Sequence, residues 1–434
     1  MPTFVGYFCT QMKAEIITIG DELLIGQTID TNSAWLGQTL GQIGIQIERK
    51  TAISDKKEAI FKALNNSLDQ VSLVIVTGGL GPTRDDITKH SLVEYFGGGY
   101  RTDKAVLDHL ESLFAKRGRQ MMEVNKLQAE LPERCMTLFN RVGTAPGMWF
   151  EDHRGIVISL PGVPNEVQWI TNNQIIPKIQ ERFQLKAIEH RTLLCLETPE
   201  SLLSKHLEGF EDRLPPSYSL AYLPQFNSIR LRLSQVEQGH VGDLGIEHWF
   251  NELTAELGPL CFGVGDKTAA EFVSEFALTH QWQIAGAESC TGGYTTNQLL
   301  QFPGMSAVIS GSMIAYSNEV KETLLGVKHQ TIEAHGAVSL EVGLEMAKGA
   351  LRTFGSHFAF SITGIAGPGG GSPEKPVGTV CLTLISTQRP HSFDRVHEVD
   401  GLFVHQKQKQ IPGNRLQFMQ RASNSAFALF QPWF

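Results

Sequence analysis

The sequence predicts a mixed α/β protein in three parts. A doubly wound α/β domain is expected at residues 12–180, a small α+β connector at 186–262 and an α/β/α layered domain at 266–432. Three observations predict this. Apolar runs of strand length alternate with helix-period segments over the first part, which is the signature of a parallel sheet covered on both faces. After about residue 180 the runs become shorter and alternate apolar with polar. From Lys267 the strand–helix alternation returns.

Taken in order, Ala14–Ile19 reads as a buried strand, followed by a loop from Gly20 to Ser33. Asp30 or Thr31 can cap a helix whose apolar face is Leu36, Leu40 and Ile43. A strand near Ile45–Thr51 comes next, then a helix over 55–68 with Ile60, Ala63, Leu64 and Leu68 on one face, then the strand Leu73–Thr77. In the connector, Ser228–Ser234 alternates like a half-buried strand, and a helix is expected near 242–257. The last part opens with a helix over 268–279, its apolar face formed by Ala269, Phe272, Val273 and Phe276. Strand-like runs follow at Gln283–Ala287, Ala307–Tyr316, Phe358–Thr363 and Thr379–Ser386, and a helix over 414–430 closes the chain.

Composition narrows the function. Of 434 residues, 41% are hydrophobic and 19% charged, enough apolar material for packed cores. The net charge of −8 lacks the basic excess of a nucleic-acid binder, so no direct nucleic-acid contact is expected. Six scattered cysteines form no CxxC pair, which argues against a zinc site or a disulfide framework and for a reducing, cytoplasmic setting. No apolar run approaches the ~18 residues of a membrane span, and no membrane partner is expected. Met12, just before the first strand, is an alternative start to Met1.

Three loops in the last part carry chemistry. Glu288-Ser289-Cys290-Thr291-Gly292-Gly293 places a serine at a strand end, with glycines opening a helix. Such a turn suits a nucleophile, because glycine admits a substrate and helix N–H groups can hold an oxyanion or a phosphate. Read alone, it is equally a capped strand-to-helix turn. Tyr316-Ser317-Asn318-Glu319-Val320-Lys321 offers a base: with no histidine suitably placed, a desolvated Lys321 can take the serine proton, with Tyr316 beside it. Read alone, this is simply a helix start. Thr363–Gly371 is glycine-rich after a strand and suits an anion cradle or, equally, a surface loop. Arg415 can add a contact to phosphate. Cys290, beside the serine, is a rival nucleophile, although free cysteines are more often inert core residues.

Two strand ends in the first part form a second set. Gly20-Asp21-Glu22 and Gly78–Asp86 stand where ligands bind in doubly wound sheets. Gly78, Gly79 and Gly81 can cradle a phosphate, and Asp21, Asp85 and Asp86 are hard oxygen ligands for a divalent cation bridging a pyrophosphate. Asp85 or Asp86 can instead cap the following helix.

Taken together, ESCTGG, YSNEVK, HGAVS (335–339), ITGIAGPGGG (362–371) and KPVGTV (375–380) resemble, in order and spacing, the C-terminal domain of the CinA family. The resemblance implies hydrolysis of nicotinamide mononucleotide to nicotinic acid mononucleotide and ammonia, without a metal or other cofactor. It implies Ser289 as nucleophile, Lys321 as general base and Tyr316 beside them. Glu288, Thr291, Gly292, Thr363, Gly364, Gly367 and Arg415 would line the substrate, with N–H groups near Thr291 and Gly292 at the oxyanion. Two positions depart from the family: Asn414 where an acid usually precedes the arginine, and Met419 where a further arginine usually stands. The N-terminal motifs, with NRVGTAPG (140–147) and PGVPNE (161–166), resemble the same family's molybdopterin-binding-like domain. That likeness implies a metal-dependent ADP-ribose pyrophosphatase, with Gly20, Asn32, Gly78, Gly79, Gly81 and Thr144 at the nucleotide and Asp21, Asp85 and Asp86 at the metal. The connector is similar to the family's KH-like domain but lacks a GXXG loop. A homodimer is also implied. Two other readings stay open: a pyrophosphatase with a decayed C-terminal domain, and a molybdopterin- or nucleotide-binding protein without turnover, linked to competence or DNA damage.

Overall fold

The computed structural model describes residues 12–81, 87–183, 185, 189–236, 243–393 and 395–434. The chain divides into two units, one ending at Glu189 and one starting at His190.

In the first unit, β1 (Met12–Ile19), α1 (Thr31–Gln42), β2 (Ile45–Ile53), α2 (Lys57–Leu68) and β3 (Leu73–Thr77) alternate as expected. The Asp30 carboxylate caps α1 by accepting from Ser33 N, 2.9 Å. After the helix α3 (Lys104–Lys116), the sheet is completed by β4 (Met136–Leu138), β5 (Gly147–Glu151) and β6 (Ile156–Leu160), in the order β2-β1-β3-β6-β5-β4. Successive strand residues face opposite helix layers. Ala14, Ile16, Leu73 and Ile75 pack with Leu36 and Leu40 of α1, while Ile17, Ile19, Val74 and Val76 pack with Ile60 and Leu64 of α2. The sheet is not all parallel, contrary to expectation: β5 and β4 run antiparallel. The four residues between β5 and β6 are too few for a crossover, so the chain must fold back as a hairpin. The expected loop after β1 also holds a short helical turn, Asp21–Leu24.

The second unit starts with a four-stranded sheet of β7 (His190–Leu196), β8 (Tyr218–Gln225), β9 (Ser228–Gln235) and β10 (Cys261–Val264), ordered β8-β9-β7-β10. Helices α4 (Glu200–Arg213) and α5 (Ile246–Leu257) share a core with one face of this sheet through Leu203, Leu207, Phe250 and Leu253.

A six-stranded sheet follows: β11 (Ile284–Glu288), β12 (Ile309–Ile314), β13 (Phe358–Gly364), β14 (Thr379–Ser386), β15 (Val396–Val399) and β16 (Leu402–Gln410), ordered β12-β11-β13-β14-β16-β15. β12, β11 and β13 are parallel and the remaining pairs antiparallel. Helices α6 (Ala269–His280), α7 (Tyr294–Leu300) and α10 (Arg415–Ala428) cover one face; α8 (Asn318–Leu325) and α9 (Leu340–Phe354) cover the other. Leu194, Leu196 and Phe262 of the connector enter the same core as α6 and α10. No helix among the described residues is long and apolar enough to cross a membrane.

Candidate active site

The C-terminal site forms where β11, β12 and β13 release their chains. β11 ends at Glu288, so Ser289 stands at the first position beyond the sheet, held by its N–H donating to Ile362 O of β13, 2.9 Å. β12 ends at Ile314, two residues earlier than the sequence suggests, and this matters. Ala315 and Tyr316 turn out of the sheet, and Ser317 caps α8 by accepting from Val320 N, 3.2 Å. Lys321 lies one turn into α8. Helical side chains lean toward the N-terminus, so its stem runs back to that turn. Its Nζ lies 2.9 Å from Ala315 O, 3.4 Å from Tyr316 O and 3.2 Å from Ser289 Oγ.

Lys321 is only 2% exposed and Ser289 8%. Desolvation pulls the Lys321 ammonium below the ordinary lysine range. A neutral amine has two N–H donors and one lone pair. As an ammonium Lys321 donates to Ser289 Oγ; once neutral it can keep its two N–H groups on the carbonyls and turn its lone pair to the Ser289 hydroxyl. Cys290 does not share this setting: burial pushes its thiol up to about 12, so it stays protonated and a poor nucleophile.

Glu288 is turned inward, not toward a substrate. Wholly buried, its carboxylate accepts from Gly293 N (3.1 Å), Thr295 N (3.1 Å), Thr296 N (2.8 Å) and Thr296 Oγ1 (2.6 Å). It therefore takes the N–H groups that open α7, the donors expected to be free for an anion. Gly292 N is also committed, to Ser289 O at 3.1 Å, which leaves Gly292 an exposed hinge of the turn and not an oxyanion donor. Thr291 is fully buried, and its hydroxyl has no hydrogen-bond partner. Thr363 likewise serves the framework: its hydroxyl donates to Ala337 O, 2.8 Å. Lys375 donates to Val338 O at 2.7 Å and His335 O at 2.5 Å, so KPVGTV pins HGAVS. That role needs tertiary contact and has no local sequence signal.

The rim is closed by Arg415, the first residue of α10, just after the Asn414 cap. Its guanidinium donates to Gly367 O, 2.9 Å, and to Tyr316 Oη, 2.7 Å. The glycine loop, the YSNEVK turn and α10 thus meet at one cation. Tyr316 is 61% exposed, with its hydroxyl on Arg415 and not on Lys321. Gly364 lies beneath: a Cβ there would stand 2.8 Å from Thr379 O and 3.0 Å from Cys290 Sγ.

In the first unit, the expected nucleotide residues gather at the ends of β1, β3 and β6. Asn32 Nδ2 donates to Gly162 O at 2.8 Å and reaches Thr77 Oγ1 at 3.4 Å. Gly20 N donates to Ile53 O, 3.2 Å, and Gly78 N to Leu160 O, 3.1 Å. Gly81 is exposed, and Thr144 lies with Val106, His109, Phe139, Asn140 and Pro146 around a shallow depression. Glu166, which the motif reading left without a role, clamps the 140–146 loop: Asn140 Nδ2 donates to its carboxylate, 2.8 Å, and burial raises its pKa. For a metal, Asp21 supplies one exposed carboxylate. Asp85 and Asp86 lie outside the described residues. Among the described residues no three His, Cys, Asp or Glu side chains form a cluster that could hold a metal ion.

Comparison with known proteins gives two family matches. Residues 266–433 match the "CinA C-terminal domain" and residues 15–181 the "Probable molybdopterin binding domain". A "CinA-like protein" of Cytophaga hutchinsonii is 42% identical over 377 residues, covering 86% of this chain and 90% of its own. A "Putative competence-damage inducible protein" of Caldicellulosiruptor saccharolyticus is 36% identical over 416 residues, covering 96% and 97%. Among solved structures, a CinA protein of unknown function from Thermoplasma acidophilum is 32% identical, covering 40% of this chain and 98% of that one, with a TM-score of 0.35.

Proposed function

The chain belongs to the CinA family, and on that premise we propose that its C-terminal site hydrolyses the carboxamide of nicotinamide mononucleotide. The observation that carries this reading is the buried pair of Lys321 Nζ and Ser289 Oγ, 3.2 Å apart. Ser289 Oγ attacks the carboxamide carbon while Lys321 takes its proton. The tetrahedral oxyanion is met by the backbone N–H of Thr291. The Lys321 ammonium then protonates the departing nitrogen, and ammonia leaves an ester on Ser289. Water enters, gives a proton to the again neutral Lys321 and attacks the ester. The proton returns to Ser289 Oγ and nicotinic acid mononucleotide is released. Arg415 and the exposed ring of Tyr316 stand at the mouth, one suited to phosphate and the other to the pyridine ring.

The test is ammonia release from nicotinamide mononucleotide by the purified chain, with Ser289→Ala and Cys290→Ala alongside. Ser289→Ala is expected to abolish release and Cys290→Ala to leave most of it. The reverse pattern rejects the serine reading, and a wild type that releases no ammonia rejects the activity.

For the first unit we propose binding and hydrolysis of a nucleoside diphosphate sugar of the ADP-ribose type. Asn32, Gly78 and Thr144, gathered near the strand ends, support the nucleotide part. Appearance of AMP from ADP-ribose on adding a divalent cation is the expected result; ADP-ribose left intact speaks for binding alone.

A further inference from the structure

We propose that Glu197 and Asn227 of the connector are positioning residues for the C-terminal active site, acting through helix α10. This rests on the deamidase reading of that site.

Both residues hold left-handed backbone, Glu197 at φ 62° and Asn227 at φ 59°. That region is unfavourable for residues carrying a Cβ and persists where surrounding contacts enforce it. The two turns are tied together, Glu197 N donating to Asn227 O at 3.1 Å. From this corner both side chains reach the neighbouring domain. The Glu197 carboxylate, 12% exposed, accepts from Lys409 Nζ at 2.6 Å and from Lys407 Nζ, both on β16. The Ser425 hydroxyl of α10 also stands near this carboxylate and favours its charged form. Asn227 Nδ2 donates to Ser425 Oγ, 2.8 Å, and Asn424 Nδ2 returns a bond to Phe226 O, 2.6 Å.

These contacts hold the C-terminal half of α10, and the same helix reaches the site at three further levels. The Ser423 and Thr295 hydroxyls, both buried, bond at 2.7 Å and join α10 to the helix whose N–H groups Glu288 takes. Phe418 packs under Gly364, its ring 3.1 Å from where a Cβ would stand. Arg415 holds the rim. A helix of 14 residues is a rigid rod about 20 Å long, so fixing one end sets the other. Glu197 is also the carboxylate that neutralises two half-buried lysines between the connector and β16. Without it two like charges stand side by side on β16.

The test compares amide hydrogen exchange in the ligand-free full-length chain for the wild type, Glu197→Gln, the milder Asn227→Ser, and Lys348→Gln as a surface ion-pair control. Positioning predicts exchange about tenfold faster in segment 413–420, remote from the substitution, in both connector variants and not in the control. In ammonia release it predicts KM for nicotinamide mononucleotide raised roughly 3- to 10-fold, with kcat within about twofold, because Arg415 binds and does not react. Unchanged exchange at 413–420 in both variants overturns the proposal, as does faster exchange confined to the connector. Exchange is read without substrate, so a wild type that releases no ammonia rejects the deamidase reading alone and leaves this test intact.

Discussion

Glycine shapes the turn after a central strand in both units, but the two turns use it in different ways. At Gly78 and Gly79 the backbone is left-handed and crowded. A Cβ would stand 2.3 Å from Ile19 O at the first and 2.2 Å from Thr88 Oγ1 at the second. At Gly292 the backbone is also left-handed, but nothing lies within 4 Å of where a Cβ would be. The first turn spends its glycines on packing inside the protein. The second leaves open space beside a buried serine and lysine. Where the chemistry needs a shifted pKa, the reacting groups are buried and only the turn beside them is open. Where phosphate and metal recognition is expected, Gly81 and Asp21 lie exposed beyond the ends of two interior strands.

The largest expected effect falls on the buried pair. Lys321→Met should lower ammonia release by about 10³-fold or more, since a nucleophile without its base loses most of its activity. Circular dichroism should show the fold retained. In the wild type, desolvation lowers the Lys321 pKa, so the reactive neutral amine is present at a lower pH than an ordinary lysine with pKa about 10.4 allows. kcat/KM should therefore rise with pH through that lowered value and fall as acid protonates the amine. A flat profile over the neutral-to-alkaline range contradicts Lys321 as the base.

Next comes Glu288→Ala, which strands three backbone donors beneath the turn, while the Thr296 hydroxyl keeps Ser312 Oγ as a partner at 2.8 Å. A stability loss of about 3 kcal/mol is expected, read from the denaturant midpoint, together with loss of activity. A variant as stable as the wild type would mean that the carboxylate does not hold the turn.

The smallest effects test the glycine comparison itself. Gly79→Ala should cost about 2 kcal/mol from left-handed strain and collision with Thr88, and Gly292→Ala about 1 kcal/mol from strain alone. Equal costs by thermal unfolding erase the contrast between the two turns.

Much of this architecture was legible along the chain. The alternation of Ala14–Ile19, Leu36–Leu40 and Leu73–Thr77 states a two-faced sheet, because strand and helix periods are local properties. The antiparallel β4 and β5 were not read, because strand direction depends on how short the 152–155 connection is and not on apolar pattern. Ser289 and Lys321 were legible as candidates from ESCTGG and YSNEVK. The inward roles of Glu288 and Thr363 were not, because a carboxylate or hydroxyl beside a catalytic motif looks the same in sequence whichever way it points.

The sequence by itself determined the α/β class, the family and the residues available for chemistry, since these rest on periodicity and on motifs a few residues long. Only the tertiary structure decided that Lys321 reaches Ser289 across 32 positions, that Glu288 takes the helix N–H groups, and that Glu197 meets Lys407 and Lys409 more than 200 positions away. The physical reason is burial. Desolvation and hydrogen-bond direction act over a few ångströms in space, and distance along the chain carries no record of them.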